Sequence, residues 1–113
     1  MDFNNSTHIK SLVSSFEQKL PTKNEEKLIR VLLDNPGGTV ALLSTKIGKK
    51  PNVWDMQFGN MCRRRLIYIG LLNPVDSKKI KGYIQLLTIY NKKNQTYVMK
   101  SKVAADFRQI FFK

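Results

Sequence analysis

The chain has one cysteine, one histidine and only eight acidic residues among its 113. Cys62 has no second thiol to pair with, so no internal disulfide can staple the fold, which suits a reducing compartment. With His8 as the only imidazole there is no histidine cluster and no cysteine pair at metal-binding spacing. Catalysis needs converging acids, bases or nucleophiles, and these few scattered groups do not supply a set. No glycine-rich phosphate loop is present. Neither an enzyme nor a cofactor is expected. No apolar run approaches the ~20 residues that span a bilayer. The opening "MDFNNSTHIK" also lacks the basic-then-apolar layout of a signal peptide. A soluble cytoplasmic protein without membrane association is expected.

What the chain has in quantity is positive charge. Twenty lysines and arginines give a formal charge of +12, a large surplus for a chain long enough for one domain. Such a surplus points to an anionic partner, nucleic acid first and an acidic protein or membrane surface second. The excess is not spread evenly. The first 34 residues are nearly balanced, whereas Lys46–Lys93 holds eleven basic residues against Asp55 and Asp76.

Apolar periodicity organises the rest. Ile9, Leu12, Val13, Phe16 and Leu20 recur at helical spacing. "PTK" interrupts them. A second helix follows from about Asn24, with Glu25 and Glu26 in its first turn, where the macrodipole favours acids. "NPGG" stops it. Thr39 caps a short third helix, "VALLSTKI". "KKPN" is a tight connection, because Pro51 cannot continue a helix and biases Lys50 away from helical angles. Asn52 is then the expected cap of a fourth helix starting near Val53 and ending before Gly70. "LLNPVD", "SKKIKG" and "YIQLLTIY" read as strand, turn and strand. "NKKNQ" is a second polar turn, and "TYVMK" a further short strand. "SKVAADFRQIFF" closes the chain as a helix.

The stretch "TVALLSTKIG" followed by "KKPNVWDMQF" resembles a helix-turn-helix pair. "RRLIYIGLL" resembles the end of a recognition helix running into a first wing strand, and "DSKKIKGYIQLLT" resembles the basic wing of winged-helix regulators of the MarR and ArsR kind. The resemblance spans roughly residues 24–90. It implies a mainly α fold with a small β-hairpin wing, a winged helix-turn-helix. It also implies a DNA-binding dimer whose second helix enters the major groove while the wing meets a flanking groove or phosphates. The sequence departs from that pattern in opening the recognition helix on Val53-Trp54. It also lacks the cysteine pair or histidine cluster of a metal or redox sensor.

By helical angle alone, the fourth helix places Trp54, Phe58, Met61, Cys62 and Ile69 on one side. Met56, Gln57, Asn60, Arg63, Arg64 and Ile67 fall largely on the other. Gln57 and Asn60 carry amides able to pair with adenine edges, and Asn52 opens the helix. Lys49, Lys50, Arg63 and Arg64 flank those amides with phosphate-seeking charge. Val53 and Met56 are suited to a thymine methyl or to packing on a neighbour. The wing contributes Ser77, Lys78, Lys79 and Lys81, with Ile80 unusual at its centre. The three consecutive arginines cannot share one direction. At least one of them is expected to turn from the DNA, with Asp55 and Asp76 as candidate partners, and Arg65, pointing to the apolar side, is expected at a boundary, reaching outward. Trp54 and Cys62 read as core, and His8 as surface.

The first helix (1–20) and the last (101–113) flank a 21–100 winged-helix unit. Their apolar stripes, with Phe3, Ile9, Leu12 and Phe16 on one and Phe107 and Phe111 on the other, exceed what a small core is expected to hide. They predict a homodimer packed through these helices. The reading that follows is sequence-specific binding of double-stranded DNA by a nucleoid-associated homodimer acting as a transcriptional repressor or regulator. Two alternatives stand beside it. One is a plasmid or phage DNA-partition adaptor that binds a centromere-like site and engages a segregation partner protein. The other is a winged-helix interaction module for an acidic partner.

Overall fold

The computed structural model describes residues 6–73 and 80–111, the side chains of residues 6 and 80–82 excepted. In chain order these form α1 (Ser6–Gln18), α2 (Lys23–Asp34), β1 (Gly38–Thr39), α3 (Val40–Lys46), α4 (Trp54–Tyr68), a 3-10 helix (Ile80–Leu86), β2 (Thr88–Asn91), β3 (Thr96–Met99) and α5 (Ser101–Phe111). The described residues are thus mainly helical, with one three-stranded antiparallel sheet ordered β1-β3-β2. No helix among them is long and apolar enough to cross a membrane.

Local chemistry sets the helix boundaries. The Thr22 hydroxyl accepts from the Glu25 amide at 3.1 Å, and the Glu25 carboxylate accepts from the Thr22 amide at 3.0 Å. This reciprocal pair satisfies two donors left over at the start of α2. Past its end, Gly37 takes φ +80°, a conformation that disfavours other residues. Gly38 then runs so close to α3 that a Cβ there would meet Leu43 at 3.0 Å. The Thr39 hydroxyl caps α3 by accepting from the Leu42 amide. At the far end of α4, Gly70 at φ +78° turns the chain, and the Leu71 amide donates back to the Leu66 carbonyl.

The start of α4 differs from expectation. Val53, not Asn52, holds the cap position, and no side chain of its own closes it. The buried Ser44 of α3 does so, its hydroxyl accepting from the Val53 amide at 3.2 Å and the Trp54 amide at 2.8 Å. The tight connection folds the end of α3 against the start of α4, so the cap comes from the preceding helix. The sheet also differs. Of the strand expected over 83–90, the first half is 3-10 helix. Ile84 and Leu87 lie three residues apart and are both fully buried, and the segment packs on α4. The Thr88 hydroxyl donates back to the Ile84 carbonyl. The hairpin is therefore β2–β3, with Tyr90 opposite Tyr97 and Asn91 opposite Thr96. Asn91 shapes its turn by accepting from the Lys93 and Asn94 amides. Leu71–Asn73 form no strand, and residues 74–79 lie outside the described part.

One core joins the helices, the 3-10 segment and β3. Trp54 is fully buried between Phe58 (ring centroids 4.8 Å apart) and Tyr97 (5.3 Å), and its indole N–H donates to the Leu28 carbonyl. Phe16 of α1 meets Phe107 of α5 edge-on at 5.1 Å. That contact corrects the expectation for Leu12, Phe16 and Phe107. All three are 0% exposed within a single chain, so they cannot face a second copy. The two terminal helices pack on each other and on the shared core, which hides more apolar surface than the helix-turn-helix elements would alone. Ile9 and Phe111 are half-buried, and Phe3 lies outside the described residues.

Candidate nucleic-acid interface

α4 divides into an inward and an outward side. Trp54, Phe58, Met61, Cys62, Arg65 and Leu66 are buried. At about 100° per residue, Asn60 falls opposite the midpoint between Phe58 and Cys62, at the centre of the outward strip. Met56, 53% exposed, and Arg64, exposed, flank it. Val53, Gln57, Asn60 and Arg63 are half-buried. Lys49, Lys50 and Asn52 are exposed in the connection that leads into the helix, and Lys46 is exposed at the end of α3. The structure thus brings the predicted amides, the connection lysines and Arg63–Arg64 onto one helix and its approach.

Arg65 does the reverse of the expectation. It is 4% exposed and turned inward. Its guanidinium pairs with Glu25 at 2.8 Å, lies 4.0 Å over the Phe16 ring, and donates to the Ser15 carbonyl at 2.7 Å. It also donates to the carbonyls of Lys19 and Leu20. A planar fork with several donors suits this place, since it closes the carbonyl end of α1 while neutralising a buried acid. Burial alone would raise the Glu25 carboxyl, but the Arg65 hydrogen bond and the Thr22 amide outweigh it and hold Glu25 below its usual range. The acid that Arg65 meets is thus Glu25. Asp55 is buried in the first turn of α4, where its carboxylate accepts from the Met56 amide, and Asp76 lies outside the described residues.

The hairpin tip supplies charge that the sequence pattern assigns elsewhere. Ser77, Lys78 and Lys79 fall outside the described residues, and Lys81 belongs to the 3-10 helix, not to a hairpin turn. Lys92 and Lys93 occupy the β2–β3 turn and are exposed. The sequence carries a signal for them: "NKKNQ" stands between two short β-rich runs. A cleft of about 440 Å³ joins the hairpin to the helix pair, lined by Thr39, Val40 and Ala41 at the start of α3, Asp55 of α4, and Gln85, Tyr90, Gln95 and Tyr97. Burial, with the Asp55 charge nearby, pushes the Tyr97 phenol up. The first turn of α4 and the foot of the basic turn therefore border one concavity.

Cys62 is fully buried, and burial pushes its thiol well above the usual range, which leaves a packing role. Among the described residues, no group of three histidine, cysteine, aspartate or glutamate side chains could hold a metal ion. A wider groove of about 1070 Å³ runs between α1, the end of α4 and the start of α5, and of the predicted site residues only Ile9 lines it. Comparison with protein-family models, with curated proteins and with solved structures finds no match.

Proposed function

We propose that the chain binds double-stranded DNA with sequence preference, as a homodimeric winged helix-turn-helix regulator of transcription. In this reading α3 and α4 are the helix-turn-helix pair, α4 lies in the major groove, and the β2–β3 turn is the wing. The observation that carries it is the make-up of the α4 strip. Asn60 and the exposed Met56 sit on its open side, Arg64 follows, and the exposed Lys49 and Lys50 precede it. Amides and apolar tips suit base edges, and the flanking cations suit phosphates. The element order, helix pair then hairpin, supports the same reading. Two copies would set paired α4 helices one duplex turn apart. They would join through surface other than Leu12, Phe16 and Phe107, which the chain itself buries.

The test is binding to duplex DNA across salt concentrations. Replacing Lys49, Lys50, Lys92 and Lys93 by alanine weakens binding on every sequence and lowers the slope of log K against log salt by roughly 0.9 for each phosphate no longer neutralised. Asn60→Ala relaxes preference at one base pair, by about 1–3 kcal/mol. Equal weakening on all sequences from both changes leaves only an electrostatic sleeve. A long cooperative footprint assigns the chain to DNA partition in place of repression at one operator. Absence of duplex binding at physiological salt leaves the acidic-protein module. Sedimentation at high concentration decides between dimer and monomer.

A further inference from the structure

One polar atom in the outward half of α4 is out of place. The side-chain oxygen of Gln57 is buried and accepts no hydrogen bond from the described residues. Buried polar atoms are nearly always paired, and an unpaired acceptor destabilises the folded state. The backbone offers no reason for it. The Gln57 amide donates to the Val53 carbonyl at 3.1 Å, so the helix is regular there. Gln57 is also not sealed inward as a whole, being half-buried and one helical turn before Asn60 on the same flank. Three rotatable side-chain bonds separate its amide from the backbone, enough to swing the group outward without moving α4.

We propose that Gln57 is a retracted base reader: its amide is tucked against the protein in the free state, with its oxygen unpaired, and turns out to pair with an adenine edge when α4 meets duplex DNA. This rests on the DNA-binding reading and adds to it which amide changes state and what drives the change. In the free protein the side chain carries an unmet acceptor. On an adenine it gains two hydrogen bonds, donating to N7 and accepting from N6. Relief of the buried acceptor adds to binding only where that base is present, so the same atom that weakens the free fold sharpens the choice of site. The energetic conflict lies in the free state and its resolution in the complex.

Gln57→Met tests this, because methionine keeps the length and removes the amide. Two readouts are needed on the intact chain: thermal melting without DNA, and selection of preferred duplexes from a randomised pool. Gln109→Met, on the exposed side of α5, is the control for adding a thioether. The expected result is a rise in melting temperature of several degrees, with an about 5- to 150-fold loss of discrimination at one A·T pair, matching one bidentate base contact. A melting temperature equal to or below that of the unaltered chain overturns the proposal, since the oxygen was then no burden. Retained discrimination overturns it equally, since Gln57 was then no reader. If the unaltered chain binds no duplex, the DNA reading itself fails and takes this with it. If it selects a sequence and Gln57→Met selects the same one, only the retracted reader falls.

Discussion

Arg64 and Arg65 are consecutive, yet the structure uses them for opposite purposes. Arg64 is exposed on the outward side of α4. Arg65 is buried, paired with Glu25 and bonded to three carbonyls at the end of α1. The same contrast divides the molecule. α1, α2 and α5 form a frame that turns its large side chains inward, and the first 34 residues carry nearly balanced charge. The α3–α4 connection and the hairpin turn leave Lys49, Lys50, Lys92 and Lys93 exposed. A basic residue in this chain can serve the frame or the proposed interface, and a rotation of 100° on one helix decides which.

The largest effect should come from setting those two arginines against each other. Arg65→Ala strands the Glu25 carboxylate in the core and takes a donor from the carbonyls of Ser15, Lys19 and Leu20, so denaturant unfolding should show a drop of about 3–5 kcal/mol. Arg64→Ala should stay within about 0.5 kcal/mol in the same measurement, yet weaken duplex binding and flatten its salt dependence. Equal destabilisation by the two would break the division between frame and interface.

A smaller effect sits where the two regions join. Ser44→Ala removes the acceptor for two backbone amides at the start of α4, and should cost about 0.5–2 kcal/mol by thermal or denaturant unfolding. Asn52→Ala, at the position the sequence favours as a cap, should cost little. The reverse ranking would return the cap to Asn52. Smallest at neutral pH is the proton linkage of Glu25. Its carboxyl is lowered in the folded chain from an ordinary value of 4.5, so its contribution is complete above that value and is lost as the pH falls through the lowered one. Stability of the unaltered chain should therefore drop on acidification through this range, and the slope should be shallower in Glu25→Gln.

The helices are largely legible in the sequence because their apolar residues recur at helical spacing, and the inward side of α4 follows from the same arithmetic. Contacts across long sequence distances are not legible. Nothing local to Arg65 names a partner forty residues earlier, although Thr22-x-x-Glu25 is a readable capping box that already places that carboxylate. Ser44 is hidden for a related reason, since a cap is sought next to the helix it closes and not in the helix before. The hairpin is displaced because "YIQLLTIY" has strand composition throughout, while Ile84 and Leu87 are drawn down together onto α4. Lys92 and Lys93 count toward the basic middle of the chain, but the earlier lysine run draws the wing assignment away from them. The apolar stripes of α1 and α5 look like an excess needing a second copy. The Phe16–Phe107 contact meets that need inside one chain.

Trp54 is the chain's only tryptophan, sealed from solvent between a ring of α4 and a ring of β3 and bonded through its indole to α2. That placement makes it an optical gauge built into the molecule. Its emission should be that of an indole in a dry setting. Duplex DNA on the outer surface cannot stack on it, so a red shift signals that the hairpin has parted from the helices.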